Sequence, residues 1–396
     1  MKNILVINSG SSSIKFQLFK MPEAKVDASG LVERIGLDDA TIHYKTSKLN
    51  LQEKIAIPDH KTGLKEVAKL LMDPEDGVIS DAKDIDIVGH RVVHGGASFS
   101  DTILIDNIVK KKIKDLFNLA PLHNPHNYTG IDVAENIFPY AKQVGVFDTA
   151  FHQTIPERAY KYAIPNEFLE KNRIRLYGFH GTSHKYVYTK TVEYLAKPLP
   201  KVITVHLGNG CSITAIHEGK SVDHSLGFGP VNGLIMGTRS GDIDQSVIFY
   251  MIDKLGYTPA QVSELLHKKS GMLGLTGYSD LRNIEEEASK GNTDCLLALE
   301  MNAYRIKKYI GSYIAAMNGI DALVFTAGIG ENSSTLRRMV CSELDYLGIQ
   351  IDPDKNNIRS KDIRLISHED ARVDVLVVPT NEELEIARQA YGLLKN

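Results

Sequence analysis

The stretch that decides the fold is Asn3–Phe19, NILVINSGSSSIKFQLF. Ile4-Leu5-Val6-Ile7 is an apolar, β-branched run that reads as a buried strand. Asn8-Ser9-Gly10-Ser11-Ser12-Ser13 follows as a tight turn of small polar residues. Alternation then resumes, with Ile14, Phe16 and Leu18 on one face and Lys15, Gln17 and Phe19 on the other, which predicts a second strand. Such a tip suits phosphate: Gly10 lets the backbone come close, N–H groups and hydroxyls donate, and Lys15 adds positive charge.

A chain of 396 residues exceeds one ordinary core and suggests two domains. The net charge of −3 and the lack of a dense basic run beyond Lys110-Lys111-Lys112 argue against a nucleic-acid surface. Cys211, Cys295 and Cys341 are too few and too scattered for a disulfide framework or a zinc site. Only four consecutive apolar residues precede Asn8, and no run approaches the roughly 18 of a membrane span. The expectation is a soluble, cytoplasmic protein with no nucleic-acid or membrane partner.

Further along, Lys61–Met72, Val109–Ala120 and Tyr128–Phe138 are helical in period, with Pro121–Asn127 as a rigid polar loop between the last two. Ile85–Gly96 is a strand running into a Gly-Gly turn, and Val144–His152 is a short buried strand reaching Asp148. In FHGTSH, Thr182 or Ser183 is a candidate N-cap that sets His180 beside a helix N-terminus. Val202–Ile216, VITVHLGNGCSITAI, repeats the opening theme: at a shift of 199, Val6 falls on Val205, Ser13 on Ser212 and Ile14 on Ile213. Two such hairpins half a chain apart suggest a duplicated α/β domain with a nucleotide between the halves. Gln245–Leu255, Ala260–Lys268 and Cys295–Met317 read as helices, interrupted by MGTRSGD and Asp280-Leu281-Arg282. Asp321–Asn332 reads as a strand breaking into a Gly-x-Gly turn before a helix at Ser333. Asp374–Pro379 is a last strand, and Thr380–Leu394 a terminal helix with Thr380-x-x-Glu383 as a capping box.

Several nucleotide signatures are absent. Gly219-Lys220-Ser221 mimics a P-loop, but Thr214 stands where its first glycine belongs. His180 and His184 have helical metal-ligand spacing without an acidic third ligand. Arg91 and Arg239, each in a Gly-flanked segment, suit bidentate capture of a carboxylate and a transferring phosphoryl group.

Taken together, NSGSSSIKF, GHRVVHGG, FDTAFH, FHGTSH, HLGNGCSI, MGTRSGD, FTAGIGEN and PTNEE resemble, in order and spacing, the acetokinase family. The resemblance covers nearly the full length and implies the fold of the sugar kinase, Hsp70 and actin superfamily: duplicated ribonuclease H-like α/β domains with an interdomain nucleotide cleft. It implies the reaction ATP + acetate ⇌ acetyl phosphate + ADP, with Mg²⁺ (or Mn²⁺) held by Asn8 and Glu382. It further implies that Lys15 and Ser11, Ser12 and Ser13 contact nucleotide phosphates. His206, Leu207, Gly208, Asn209 and Gly210 would line the ATP site, with Asp280, Leu281, Arg282, Gly328, Ile329, Gly330, Glu331 and Asn332. Arg91 and Arg239 would grip acetate and the phosphoryl group, and His180 would stabilise the latter. Val93, Leu122, Phe179 and Pro230 would form a methyl pocket. The resemblance makes Asp148 the catalytic acid/base; acetate has no proton to lose at neutral pH, so the chemistry favours Asp148 orienting Arg91 or a metal-bound water.

The expected organisation is an N-terminal acyl-substrate and phosphate domain over 1–150, rejoined by the terminal helix over about 381–396. A nucleotide-binding domain over 151–380 would carry the homodimer contact the family implies. The alternatives are a propionate or butyrate kinase and, in another class, an actin- or Hsp70-like ATP switch. Val93 favours acetate, though one methylene is worth only about 1–3 kcal/mol.

Overall fold

The structure is a computed structural model and describes residues 1–395. It forms two compact units, Met1–Phe151 with the chain from Asn381 onward, and His152–Thr380.

The first unit is built on an eight-stranded sheet ordered β5-β4-β3-β2-β1-β6-β8-β7. Its strands are β1 (Lys2–Ser9), β2 (Ser13–Met21), β3 (Lys25–Glu33), β4 (Thr41–Thr46), β5 (Asn50–Lys54), β6 (Ile87–Val92), β7 (Ile103–Leu104) and β8 (Lys142–Phe147). The alternation in the opening hairpin works as the pattern requires. Ile14, Phe16 and Leu18 pack with Leu64, Val67 and Ala134 on one face, and Ile4, Val6 and Phe19 with Ile386, Ala387 and Ala390 on the other. The second group belongs to the terminal helix, Glu382–Leu393. Gly89 in β6 admits that helix, since a Cβ there would stand 2.9 Å from Ile386 Cγ2.

The second unit has a six-stranded sheet, β11-β10-β9-β12-β14-β13. These are β9 (Val202–Leu207), β10 (Cys211–His217), β11 (Lys220–His224), β12 (Ala322–Thr326), β13 (Arg364–Leu365) and β14 (Asp374–Val377). Within it, β9 and β10, then β10 and β11, pair antiparallel, while β12 lies parallel to both β9 and β14. In the first unit β1, β2, β3, β6 and β8 repeat those relations strand for strand. The duplication read from eleven residues of sequence is thus a repeated five-strand topology.

The structure corrects several local readings. Pro121–Asn127 is not one loop: a helix spans Asn124–Ile137, with Pro125 in its first turn, where a missing N–H costs nothing. The helix expected over Val109–Ala120 is Asn107–Asp115. Gly328–Asn332 is not a turn but part of a short helix, Ala327–Asn332. The interruption expected over Asp280-Leu281-Arg282 ends at Asp280, which caps the helix Leu281–Ser289, so Leu281 and Arg282 are helical. No capping box forms at Thr380, because Asn381 is the cap and accepts from the Leu384 N–H. No helix among the described residues is long and apolar enough to cross a membrane.

Candidate active site

In open α/β sheets, ligand chemistry gathers beyond the carboxyl ends of the parallel strands. In the first unit those ends deliver Asn8 and Ser9 from β1, Arg91 from β6 and Asp148 just past β8. Asp148 is buried (1% exposed) and accepts from Arg91 Nε at 3.1 Å and from Arg91 Nη2. Arg91 Nη1 donates to Asn8 Oδ1 at 3.3 Å, and Nε lies 3.7 Å from Glu382 Oε2. Asn8, Arg91, Asp148 and Glu382, widely separated in sequence, therefore form one cluster. Glu382 is 21% exposed, and its carboxyl is pushed up to about 7 by burial, with Asp148 and Glu383 adding to the rise against Arg91. Lys15 pairs with Glu383 at 2.7 Å, so Glu383, read from sequence as a cap, is an ion-pair partner.

The hairpin tip is held from behind. Gly10 N–H donates to the Ser13 carbonyl at 2.8 Å, and His60 Nε2 donates to the Gly10 carbonyl at 2.6 Å. Ser11 and Ser12 are exposed. Asn127, buried and unforeseen from sequence, donates to the Ser9 carbonyl at 2.7 Å and accepts from the Val93 N–H at 3.0 Å. It ties the phosphate-type turn to the candidate pocket wall. Val93 is buried, whereas Leu122 is 56% exposed.

In the second unit His180 is itself the N-cap of the helix Gly181–Leu195, at φ 56°, displacing the expected Thr182 or Ser183. Left-handed backbone at a non-glycine residue costs about 1–3 kcal/mol and gathers at functional sites. Ala327, at φ 64°, which opens the Gly328 segment, is one of several further such residues in this unit. The His180 ring stacks on His206 at 4.5 Å. A Cβ on Gly210 would sit 3.4 Å from His180 Nε2 and 3.9 Å from Arg239 Nη1, so both groups converge on one spot that glycine leaves open. Arg239 Nη1 donates to the Pro230 carbonyl at 3.0 Å. Among the described residues Arg239 has no carboxylate partner, and burial pulls its guanidinium pKa below the ordinary value.

A cavity of about 750 Å³ opens beside this cluster, lined by Gly208, Asn209, Asp280, Leu281, Arg282, Gly328, Ile329 and Asn332. Its wall also includes Ser279, Glu285, Ser333 and Arg359, which no sequence motif singled out. Leu207 is buried in the sheet, Gly330 packs toward Phe325, and Glu331 turns away to accept from the Thr380 N–H at 3.1 Å. Phe179 is buried, its N–H donating to His224 Nε2.

A repeated glycine-bearing hairpin, one guanidinium at a sheet end and another in a glycine-flanked loop, and a nucleoside-sized cavity define a phosphate-handling α/β protein. The Acetokinase family model matches residues 3–388. The chain is 61% identical over 393 residues to the Flavobacterium johnsoniae acetate kinase, covering 99% of this chain and 100% of that one. The Porphyromonas gingivalis acetate kinase structure superposes with a TM-score of 0.94 at 44% identity, covering 100% of both chains. A Francisella tularensis propionate kinase structure gives 0.93 at 41%, covering 99% of this chain and 100% of that one. The chain belongs to the acetokinase family.

Proposed function

We infer that the chain has acetate kinase activity, reversibly transferring the γ-phosphoryl group of ATP to acetate to give acetyl phosphate and ADP. The observation that carries this reading is Arg239: a half-buried guanidinium without a carboxylate partner among the described residues, converging with His180 beside Gly210. That is a site for an anion with spread charge, which phosphoryl transfer creates on its equatorial oxygens.

Roles follow from chemistry. Arg91 binds the acid's carboxylate, and Asp148 holds Arg91 in orientation through two hydrogen bonds. His180 and Arg239 stabilise the moving phosphoryl group, and Lys15 with the Ser11–Ser13 turn binds phosphate oxygens. Val93, Leu122, Phe179 and Pro230 exclude larger acyl chains. The 750 Å³ cavity takes the adenosine. Hard oxygen donors and a surplus of acids (Asp148, Glu382, Glu383 against Arg91 and Lys15) suit a divalent cation. Asn8 and Glu382 would hold Mg²⁺, which when bound neutralises nucleotide phosphate charge.

The enzyme is proposed to act in the cytoplasm, where ATP is available and its three buried cysteines stay free. A homodimer is proposed through the second unit. Its helix Gln245–Asp253 buries none of its own residues and leaves Phe249 63% and Tyr250 59% exposed, an apolar face suited to a second copy.

The test is ATP-dependent acyl phosphate formation, trapped with hydroxylamine, with acetate, propionate and butyrate side by side. Acetate preferred supports the reading. Propionate preferred moves the substrate, as the propionate kinase neighbour allows. ATP binding without turnover of any acid overturns it in favour of a nucleotide switch.

A further inference from the structure

The second unit's sheet carries hydroxyls where apolar side chains would ordinarily pack. Thr204, Ser212 and Thr214 are fully buried, and each hydrogen-bonds a histidine. Five imidazoles (His152, His180, His184, His206, His224) lie edge to edge or stacked against them. Burying a polar network on this scale costs folding energy unless its members are hydrogen-bonded, and departures from an apolar core of this kind gather at functional sites.

Two of these rings are fixed by backbone. His224 Nε2 accepts from the Phe179 N–H, so its proton lies on Nδ1, toward Thr214. His152 Nε2 donates to the Phe179 carbonyl, so its Nδ1 accepts from Ser221. Burial drives both pKa values down, to about 4 for His152, and for His224 the neighbouring imidazoles add to the fall, which keeps these rings neutral. His184 is likewise held neutral, by burial first and by His152 and His206 beside it.

The remaining chain reaches the site. Thr204 Oγ1 meets His184 Nδ1 at 2.7 Å, His184 Nε2 meets Ser212 Oγ at 2.8 Å, and Ser212 Oγ meets His180 Nδ1 at 2.9 Å. Ser212 has one proton for two rings, and neutral His184 one proton for two hydroxyls. The protons therefore all point toward His180 or all away from it. Pointing toward it, Ser212 donates to Nδ1 and His180 carries its own proton on Nε2, the atom facing the spot shared with Arg239. Pointing away, a neutral His180 turns an unprotonated Nε2 toward the anion that Arg239 is placed to hold.

We propose that Thr204, His184 and Ser212 form a buried hydrogen-bond relay that fixes the tautomer of His180, keeping Nε2–H as a donor to the phosphoryl group. Ser212 and His184 are positioning residues, and their role rests on the acetate kinase reading. The test is ¹⁵N-histidine NMR of the full chain without nucleotide, with the His180 signals assigned by their loss in His180→Gln, alongside steady-state kinetics. Wild type should show an unprotonated Nδ1 and a protonated Nε2 at His180. Ser212→Ala should mix the tautomers and lower kcat roughly ten- to a hundredfold, as supporting-residue losses commonly do, with KM for ATP unchanged. Ser212→Thr should restore both readouts. A wild-type His180 protonated on Nδ1, or an unchanged tautomer in a folded Ser212→Ala, overturns the proposal. The expected tautomer in a wild-type protein that forms no acyl phosphate overturns the reaction instead.

Discussion

The two units share a five-strand topology and diverge in what they place at the strand ends. In the first, the ends of β6 and β8 carry Arg91 and Asp148, with Glu382 and Glu383 at the adjoining helix start. In the second, the corresponding ends of β12 and β14 carry Thr326 and Val378, both fully buried, and the charge-handling groups are imidazoles and one arginine without a carboxylate partner among the described residues. The same backbone therefore serves as an acidic, ion-paired platform in one copy and a dry, cation-bearing one in the other. Topology decides where a ligand can sit; the residues at the strand ends decide its charge.

That contrast is sharpest in the two arginines. Removing either should cost on the order of 10³-fold in kcat, as loss of a transition-state donor does. Stability should separate them. Arg91→Ala strands Asp148, 1% exposed, without its cation, a change that costs about 3–5 kcal/mol for a broken buried pair. Arg239→Ala removes a partly desolvated cation that pairs with no carboxylate among the described residues, so its melting temperature should match or exceed wild type. Calorimetry of both variants without ligand checks this; equal destabilisation would erase the distinction between the units.

Much of this difference was legible beforehand. Period-two alternation in Ile14–Phe19 and the 199-residue repeat announced the duplicated hairpin, because a half-buried strand must alternate. Arg91, Asp148, His180 and Arg239 stood out by their motif settings. What lay hidden were residues whose meaning depends on distant partners. Asn127 reads as a polar loop residue until the fold brings Ser9 and Val93 to its two amide atoms. Glu383 fits a capping box until Lys15 arrives from the hairpin. Ser212 and Thr204 look like ordinary strand residues, since sequence does not show which helix lies on a sheet face. Boundaries misread near Pro125 and Gly328 have a local cause: proline and glycine signal a break, yet both are tolerated in a helix's first turn.

Glu382 tests the acidic platform directly. Its carboxyl holds a proton up to about pH 7 in the folded chain, against an ordinary value of 4.5. The folded state then binds more protons than the unfolded one between those values, so stability falls as pH rises from 4.5 to about 7 and levels off above. Glu382→Gln mimics the protonated form. Without ligand it should melt higher than wild type at pH 8, by on the order of 1–3 kcal/mol, and match it near pH 4.5. With Mg²⁺ and ATP the order should reverse, because only wild type gains from binding, and Mg²⁺-dependent turnover should be lost. A variant less stable than wild type at pH 8 without ligand would show that the acids are not in surplus there.

Asn127→Ala should act more mildly. It leaves the Val93 N–H and the Ser9 carbonyl unpaired, each buried, for a stability loss of about 1–3 kcal/mol. Its kinetic signature should be a raised KM for acetate, since the pocket wall and the hairpin lose their common tether. An unchanged KM would make Asn127 a packing residue only.

The smallest effect concerns substrate size, and it asks whether the division of labour between the units extends to specificity. Val93 is buried, and its N–H is pinned by Asn127, so truncating the side chain should open space rather than shift the backbone. Val93→Ala should raise the propionate-to-acetate ratio of kcat/KM by about tenfold, within the 1–3 kcal/mol that one methylene commands. KM for ATP should stay constant, because no group that lines the second unit's cavity has changed. Ile329→Ala is the mirror experiment: Ile329 lines that cavity, so KM for ATP should rise while the acid ratio holds. Each variant thus perturbs one ligand and reports on the other. Movement of both parameters in either variant would mean that acyl and nucleotide recognition are not separable by unit, and that the charge asymmetry serves the phosphoryl group alone.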